Sequence, residues 1–191
     1  MFCVINRELW KRKPYFDHFS QLRCTFSLTT NIDITQLLLL TRENKVKLYP
    51  ALIYLTTKAV NAQKEFRTCF HNGELGYWEN MHPSYSIFNK QEKQFSNLWT
   101  PFSDDFSEFY QSYKKDLDVY GKKIGMQLKG NQPPNSFPVS TIPWTTFTGF
   151  NLNINNEGDF LLPIITWGKH FSSEGNSVLI PISVQVHHAV L

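Results

Sequence analysis

The sequence predicts a single domain of the α+β class, in which helices pack on a β-sheet as a sandwich. Its length of 191 residues suits one domain with a sizeable buried core. Helical and strand-like patterns follow one another without the strict strand–helix alternation of a parallel α/β protein. No linker-like segment and no internal repeat divides the chain. We therefore expect residues 1–191 to form one domain.

The first half of the chain contains three helical and four strand-like segments. They are a helix over Glu8–Phe19, a strand over Cys24–Thr29, a short helix over Leu37–Leu40, a helix that opens at Tyr49-Pro50, and strands over Phe66–Phe70, Leu75–Trp78 and Tyr85–Phe88. Pro14 interrupts the first helix, and Thr35 can cap the second. The Asn72-Gly73 pair predicts a tight hairpin turn.

The helix that opens at Tyr49-Pro50 shows an amphipathic pattern. Proline is tolerated at a first helical position because its missing N–H has no intrahelical acceptor there. The apolar positions that recur at helical spacing are Leu52, Leu55, Ala59 and Ala62. We expect this stripe to face the core.

The second half of the chain predicts one amphipathic helix and then three long strands. Large apolar side chains recur every three or four residues from Phe102 to Tyr120. Ser103 can cap this helix, and Asp104 and Asp105 suit its positive N-terminal end. After a loop rich in Asn, Pro and Gly, the predicted strands cover Val139–Asn153, Phe160–His170 and Val178–Val190.

The composition excludes several classes of function. The formal charge is +3 and the basic residues are scattered, so nucleic-acid binding is not predicted. Cys3, Cys24 and Cys69 lack a Cys-x-x-Cys spacing, which argues against a disulfide framework or a zinc site and favours a reducing compartment. No secretion signal is evident, and Leu37–Leu40 is too short to span a membrane. We expect a soluble cytoplasmic protein that binds no metal.

Two consecutive histidines follow the last strand pattern, on opposite faces of it. With a period of two, one face carries Ile182, Val184, Val186 and His188, and the other carries Ser183, Gln185 and His187. An imidazole that is partly shielded from water is neutral near pH 7 and can take a proton from a hydroxyl group. His188 is therefore a candidate general base, with a hydrogen-bonded core histidine as the alternative that the local pattern leaves open.

Ser140 and Thr166 are hydroxyl side chains in otherwise apolar strand segments. A buried hydroxyl without a partner costs about 1–3 kcal/mol, so each of them needs a partner. Each either bonds the neighbouring backbone or is available to steady a developing oxyanion. A catalytic carboxylate pair, a GxxxxGK phosphate loop and a GxSxG elbow are all absent from the sequence. The residues alone leave both roles open for Ser140 and Thr166: a bond to the neighbouring backbone, or a bond to an oxyanion.

Several strings resemble the type A chloramphenicol acetyltransferases in content, order and spacing. Ile-Ser-Val-Gln-Val-His-His-Ala-Val (182–190) resembles the active-site segment of that family, and Trp-Lys-Arg-Lys-Pro-Tyr-Phe (10–16) resembles its N-terminal signature. Similar strings elsewhere are Ile-Asp-Ile-Thr (32–35), Leu-Tyr-Pro-Ala (48–51), Glu-Phe-Arg-Thr (65–68), Phe-Ser-Asn-Leu-Trp-Thr (95–100), Ser-Thr-Ile-Pro-Trp (140–144) and Phe-Asn-Leu-Asn (150–153). The resemblance covers nearly the whole chain.

The resemblance implies the two-layer α+β sandwich of the CoA-dependent acyltransferase superfamily. It implies a homotrimer with active sites at subunit interfaces, where one subunit supplies the histidine and its neighbour much of the drug pocket. The implied reaction is direct transfer from acetyl-CoA, a cosubstrate rather than a bound cofactor, to the 3-hydroxyl of chloramphenicol, which gives antibiotic resistance. His188 would be the general base, Ser140 would hydrogen-bond the oxyanion, and Thr166 would assist through water.

The resemblance also implies which residues bind the two substrates. Family positions in the antibiotic pocket match Phe19, Phe26, Phe95, Leu152 and Ile164. Coenzyme A would pass Tyr49 and Trp144, with Lys169 near it. His170 stands where family members often have a tyrosine, so the coenzyme contact at that position departs from the family pattern.

The sequence departs from the family at its C-terminal end. The family motif continues as His-x-x-x-Asp-Gly into a final helix, whereas this sequence reaches Leu191, where a cysteine is usual. The resemblance implies that this Asp pairs with the arginine that matches Arg12, so residues 1–191 would lack the partner and the last helix. Either the sequence is part of a longer enzyme, or the polypeptide ends at Leu191, in which case we expect poor folding and negligible turnover.

Two further interpretations remain beside the chloramphenicol acetyltransferase. The catalytic cores of dihydrolipoamide acyltransferases share the His-x-x-x-Asp-Gly motif, but they carry lipoyl domains and flexible linkers, which this sequence does not show. The other is a non-catalytic relative that binds the drug or its own subunits without turnover.

Overall fold

The computed structural model describes residues 1–89, 92–152 and 159–191, which form four α-helices and ten strands. The helices are α1 (Lys13–Gln21), α2 (Thr35–Glu43), α3 (Leu48–Ala62) and α4 (Phe106–Tyr120). The strands are β1 (Phe2–Val4), β2 (Thr25–Asp33), β3 (Thr68–His71), β4 (Glu74–Trp78), β5 (His82–Asn89), β6 (Gln94–Trp99), β7 (Ser136–Thr141), β8 (Ile164–Trp167), β9 (Phe171–Ser172) and β10 (Val178–His187). In this described part of the chain, no helix is long and apolar enough to cross a membrane.

The strands form a large mixed sheet and a small antiparallel one. The large sheet has the order β2-β10-β8-β7-β5-β6, with β9 paired to β10, and the small sheet has the order β1-β4-β3. The β5–β7 and β7–β8 pairs are parallel and the other pairs are antiparallel. This mixture confirms the predicted α+β class.

Helices α3 and α4 pack on one face of the large sheet and enclose the main core. Its members include Leu52 and Ile53 of α3, Phe109 and Tyr113 of α4, and Val139, Ile165 and Ile180 of the sheet. A second, smaller cluster contains Phe16 of α1, Leu75 of β4, Leu161, and Ala189 and Val190 after β10. The second cluster fixes the segment that carries His188.

A buried polar network fastens α4 to the sheet. Asp116 of α4 accepts hydrogen bonds from Thr100 at 2.9 Å and from the Lys129 ammonium at 2.8 Å. Thr100 in turn shares a 2.8 Å hydrogen bond with the Tyr85 hydroxyl of β5. The Tyr85 ring meets the Tyr49 ring edge to face, at 6.3 Å between centroids. The network therefore supports the first turn of α3, where Tyr49 lies.

The first helix and the cap of the second differ from the prediction. Helix α1 begins at Lys13 rather than Glu8, and Pro14 lies in its first turn, because proline suits the start of a helix and not its interior. Thr35 is the first residue of α2 rather than its cap. The N-cap position is Ile34, whose side chain cannot accept a hydrogen bond, and Asp33 before it accepts from the Thr35 backbone N–H at 2.8 Å and from the Thr35 hydroxyl at 2.6 Å.

The apolar stripe predicted for α3 is wrong. Leu52 is buried, but Leu55 is 46% exposed and Ala59 and Ala62 are also exposed. The residues buried on this helix are Pro50, Ala51, Leu52, Ile53, Tyr54, Thr56, Thr57 and Val60. Apolar residues occur on nearly every side of α3, so periodicity alone does not identify the buried side.

The first strands partly match the prediction. Asn72 and Gly73 have φ values of 53° and 81°, as a type I′ turn requires, which confirms the hairpin between β3 and β4. The predicted Phe66–Phe70 strand begins only at Thr68, after a short 3-10 turn. Strands β1 and β6 were not predicted, because one has only three residues and the other mixes polar and apolar positions.

Helix α4 begins four residues later than the Phe102 start that its aromatic spacing indicates. Asp105 is the N-cap, and its carboxylate accepts the Glu108 backbone N–H at 2.9 Å. Ser103 accepts the Asp105 backbone N–H at 3.1 Å and so orders the approach to the helix instead of capping it. The cap residue thus decides the start where the apolar pattern does not.

The long strands predicted in the second half are shorter in the structure. The Val139–Asn153 strand stops at Thr141, shortly before Pro143, and Asn153 lies outside the described residues. The Phe160–His170 strand reduces to Ile164–Trp167, because Pro163 cannot donate to a ladder. The last prediction, Val178–Val190, holds as far as His187.

Candidate active site

His188 lies in the turn after β10, between two phenylalanine rings. Its imidazole is stacked on Phe19 of α1, with ring centroids 3.8 Å apart and planes at 4°. Phe26 of β2 meets the same imidazole edge to face, at 5.5 Å and 74°. The His188 backbone N–H donates to the Cys24 carbonyl at 2.8 Å. Contacts from α1 and β2 therefore hold the ring, and the segment before β2 holds the backbone that carries it.

The residues after His188 anchor the turn in the second core cluster. Ala189 is fully buried and Val190 is 3% exposed. The Arg12 guanidinium donates to the Leu191 carbonyl, and its Nε is buried without a partner among the described residues. Arg12, predicted to support this segment, therefore does contact it.

His187 occupies a different environment from the one that the period-two pattern indicates. The pattern places it on the polar face of the last strand, yet the side chain is only 2% exposed. Its Nδ1 accepts the Ala189 backbone N–H at 3.1 Å. Burial, together with the neighbouring His188, lowers the pKa of His187 below the usual histidine value. The imidazole is therefore held in its neutral form.

Ser140 and Thr166 lie side by side on the polar face of the large sheet. Their hydroxyl oxygens are 2.7 Å apart, and either can be the donor. In the strand register Thr166 of β8 lies opposite Ser140 of β7 on one side and opposite Ser183 of β10 on the other. Thr166 is 2% exposed and Ser140 is half-buried. If Thr166 donates to Ser140, the Ser140 proton is free for a further acceptor.

Within one chain, His188 is far from this hydroxyl pair. His188 lies five residues beyond Ser183, which is about 16 Å along the strand at the usual rise of about 3.3 Å per residue. Ser140 is two strands to the side, about 10 Å at the usual spacing of about 4.8 Å. A base and an oxyanion donor that serve one reaction must both lie within about 3 Å of neighbouring atoms. The structure therefore does not bring the three predicted catalytic residues together in one chain.

Two of the predicted drug-pocket residues lie on the same polar face as the hydroxyl pair. Ile164 of β8 is 5% exposed and lies opposite Gln185 of β10. Gln185 holds the backbone of Leu152 at both ends: its amide oxygen accepts the Leu152 N–H at 2.7 Å and its amide nitrogen donates to the Leu152 carbonyl at 2.6 Å. Gln185 was not assigned a role from the sequence, although a long amide among the valines of a buried strand is a signal for one.

The predicted coenzyme residues gather at a second location. Tyr49, Lys169 and the predicted drug-pocket residue Phe95 line a cavity of about 540 Å³, together with Phe88. Trp144 adjoins it, with its ring centroid 5.6 Å from that of Phe95. Lys169 and the adjacent His170 are exposed basic side chains on this cavity.

Tyr49 is a fixed part of the cavity wall. Its hydroxyl donates to the Ser86 carbonyl at 2.8 Å, and burial raises the pKa of this phenol, so the group remains protonated. Phe88 was not identified from the sequence. Its position on β5 opposite Phe95 of β6, with ring centroids 4.9 Å apart, could have been inferred only from the strand register.

The described residues contain no group of three or more His, Cys, Asp or Glu side chains that could hold a metal ion. The polar groups that the site offers are an imidazole, two hydroxyls and exposed basic side chains. These groups can move a proton, donate hydrogen bonds to a developing negative charge and attract an anionic ligand.

Sequence comparison places this chain beside one family throughout its length. The profile of the family described as chloramphenicol acetyltransferase matches residues 1–191. A chloramphenicol acetyltransferase of Clostridium butyricum is 50% identical, over 99% of this chain and 87% of its own length. One of Campylobacter coli is 47% identical, over 99% of this chain and 90% of its own length.

Solved structures show the same fold. A chloramphenicol acetyltransferase superposes with a TM-score of 0.86 at 20% identity, over 100% of this chain and 92% of its own. The dihydrolipoamide acetyltransferase of Azotobacter vinelandii gives 0.64 at 14% identity, over 93% of this chain and 79% of its own. In that enzyme a serine, a histidine and an asparagine were investigated for roles in the catalytic mechanism.

Proposed function

Because the chain belongs to the chloramphenicol acetyltransferase family and is an acyltransferase, we propose that it acetylates chloramphenicol. The acetyl group moves from acetyl-CoA to the 3-hydroxyl of the drug, without an acyl-enzyme. The observation that carries the proposal is the setting of His188, whose imidazole is held between Phe19 and Phe26. A ring fixed in this way is preorganised to take one proton from one bound hydroxyl group.

His188 acts as the general base. Its Nδ1 is buried, so Nε2 is the nitrogen that we assign to the substrate. As the hydroxyl proton moves to Nε2, the drug oxygen attacks the thioester carbonyl and forms a tetrahedral oxyanion. Collapse of this intermediate breaks the carbon–sulfur bond, and the thiolate of CoA leaves and takes up the proton.

Ser140 stabilises the oxyanion, and Thr166 orients Ser140. The 2.7 Å contact between the two hydroxyls supports this assignment, because Thr166 is buried and Ser140 is its partner. With the Thr166 proton directed to Ser140, the Ser140 proton points to an acceptor outside the pair. A positioned donor of this kind commonly contributes several kcal/mol to the transition state.

The two substrates are bound by the two groups of residues already described. Acetyl-CoA occupies the cavity lined by Tyr49 and Lys169, where an exposed cation suits its phosphates. Chloramphenicol is bound by the aromatic and aliphatic residues Phe19, Phe26, Leu152 and Ile164, and Phe95, which lines the coenzyme cavity, contacts the drug from there. Acetyl-CoA is a cosubstrate and a thioester needs no Lewis acid, so we propose no metal and no bound cofactor.

The active enzyme is a homotrimer with its active sites between subunits. Along β10, His188 is about 16 Å from Ser183, the residue that pairs with Thr166, and this separation supports the proposal. A second copy can place its own His188 against the Ser140–Thr166 pair of the first. Phe19 and Phe26 then enter the site with the histidine, whereas Leu152 and Ile164 come from the subunit that supplies the hydroxyls.

We place the reaction in the cytoplasm, where acetylation of the drug gives resistance to it. Cys3, Cys24 and Cys69 are all unpaired in the structure, which suits a reducing compartment.

An acetyl-transfer assay tests the proposed function. We expect the protein, purified at its natural full length, to release free CoA thiol from acetyl-CoA only when chloramphenicol is present. The product should carry one acetyl group at the 3-hydroxyl by mass spectrometry and NMR. A binding titration with chloramphenicol accompanies the assay. Binding without acetylation would support the non-catalytic relative and contradict the proposal.

Lys169→Ala should weaken the binding of acetyl-CoA. Since the lysine is exposed, we expect the KM for acetyl-CoA to rise about threefold to fivefold and the KM for chloramphenicol to stay unchanged. High salt should shrink the difference from wild type because it screens exposed charges. The matched control is Lys115→Ala, which removes an exposed lysine that does not line the cavity. If the KM for acetyl-CoA rose equally in Lys169→Ala and Lys115→Ala, the assignment of Lys169 to the coenzyme site would be contradicted.

A further inference from the structure

We propose that His187 is a positioning residue for the general base, because its Nδ1 holds the turn that carries His188. This proposal rests on the proposed function, since it concerns the base of that reaction. In this proposal His187 contacts neither chloramphenicol nor acetyl-CoA. Its ring acts only through the backbone of Ala189.

Three consecutive backbone N–H groups define the turn. The N–H of His188 donates to the Cys24 carbonyl at 2.8 Å, and the N–H of Val190 donates to the His187 carbonyl at 3.2 Å. The N–H of Ala189, between them, donates to Nδ1 of His187 at 3.1 Å. It is the one of the three whose acceptor is a side chain.

The Ala189 N–H depends on this acceptor because water has little access to it. Ala189 is 0% exposed, Val190 3% and His187 2%. A buried N–H without an acceptor is costly, so the turn would rearrange if the acceptor were lost. His188 is adjacent to this N–H, and its ring can remain parallel to Phe19 only if the turn keeps its shape. A displacement of about 1 Å at a reacting group can lower a rate about 100-fold.

The hydrogen bond fixes the protonation state of the His187 ring. Nδ1 can accept only if it carries no proton, so the single proton of the neutral ring is on Nε2. Nε2 is buried and has no partner among the described residues. The structure therefore gives a role to Nδ1 and none to Nε2, and the two nitrogens can be tested separately.

Two substitutions separate the nitrogens. In His187→Asn the amide oxygen can occupy the place of Nδ1, so the acceptor for Ala189 is kept. In His187→Gln the amide lies near the place of Nε2, and the acceptor at the Nδ1 position is lost. The steady-state constants for both substrates and the melting temperature are measured for wild type and for both variants in the intact chain.

We expect kcat to fall between about 10-fold and about 100-fold in His187→Gln and to stay within about threefold of wild type in His187→Asn. Both KM values should change little, because the ring contacts neither substrate. An equal loss of kcat in the two variants, or a greater loss in His187→Asn, would overturn the proposal. A loss confined to KM would overturn it as well.

A measurement on the wild-type protein keeps the proposal testable even if the glutamine variant does not fold. In protein labelled with ¹⁵N-histidine, the NMR shifts should show His187 neutral, with the proton on Nε2 and none on Nδ1. A proton on Nδ1 would rule out the hydrogen bond from Ala189. This result does not depend on turnover, so failure of the positioning role is distinguishable from failure of wild type to acetylate chloramphenicol.

Discussion

Replacing His188 with alanine is expected to lower kcat for chloramphenicol acetylation by at least about 1,000-fold, because a positioned general base commonly contributes up to about 10,000-fold. Among the described residues assigned to the catalytic step, His188 carries the base and Ser140 and Thr166 carry only hydroxyls, so the imidazole is the group that accepts the hydroxyl proton. Its removal leaves the phenylalanine rings and the Ser140–Thr166 pair in place. The variant should therefore still bind the drug, with a dissociation constant close to that of wild type.

A second substitution at this position separates loss of the base from loss of ring packing. His188→Gln keeps a polar side chain of similar length against Phe19, but an amide is not a base. We expect it to be as inactive as His188→Ala and to melt closer to wild type. Turnover within about tenfold of wild type in either variant would rule out His188 as the base.

Removing the Ser140 hydroxyl should have the next largest effect. We expect Ser140→Ala to lower kcat about 100-fold to about 1,000-fold, as the loss of one oxyanion donor does in other enzymes. The KM values should change little, since the bond to the oxyanion forms only in the transition state. Thr166→Val should lower kcat less, about tenfold, because Thr166 acts on Ser140 and not on the oxyanion.

Ser183→Ala is the matched control for both hydroxyl substitutions. Ser183 lies in the same row of the sheet, opposite Thr166, but its hydroxyl donates to the Phe150 carbonyl. Its loss should lower the melting temperature without the large fall in kcat. If kcat fell as far in Ser183→Ala as in Ser140→Ala, the loss in Ser140→Ala would be due to altered packing of this face of the sheet and not to a lost oxyanion donor.

The parts of the fold that were predictable depend on local rules. Asn72-Gly73 fixes its hairpin because both residues tolerate positive φ, and the second half of β10, from Ile182, follows from period-two alternation. The α3 stripe could not be predicted, because a helix with apolar residues on nearly every side gives no single answer. Pro14 determines where α1 begins, at Lys13, and the Asp105 cap determines where α4 begins, at Phe106. The periodicity of apolar residues contains no information about either start.

The candidate site shows the same division between local and tertiary information. Alternation assigns His187 and His188 to opposite faces, but it cannot tell which face other segments cover. In the structure the polar-face histidine, His187, is the more buried of the two. The pairing of Ser140 with Thr166 and their distance from His188 depend on strand register, which joins segments far apart in sequence. The resemblance to a family identifies these three residues as candidates, but only the strand register shows how far His188 is from Ser140 and Thr166.

In the proposed trimer, each active site joins His188 of one subunit to Ser140 and Thr166 of another. The most direct test mixes two inactive variants, His188→Ala and Ser140→Ala, by co-expression in equal amounts. With subunits mixed at random, about one quarter of the interfaces should pair an intact His188 with an intact Ser140, so about one quarter of the wild-type activity should return. If the mixture is no more active than the two variants assayed separately, His188 and Ser140 do not meet across a subunit interface and the shared site is ruled out.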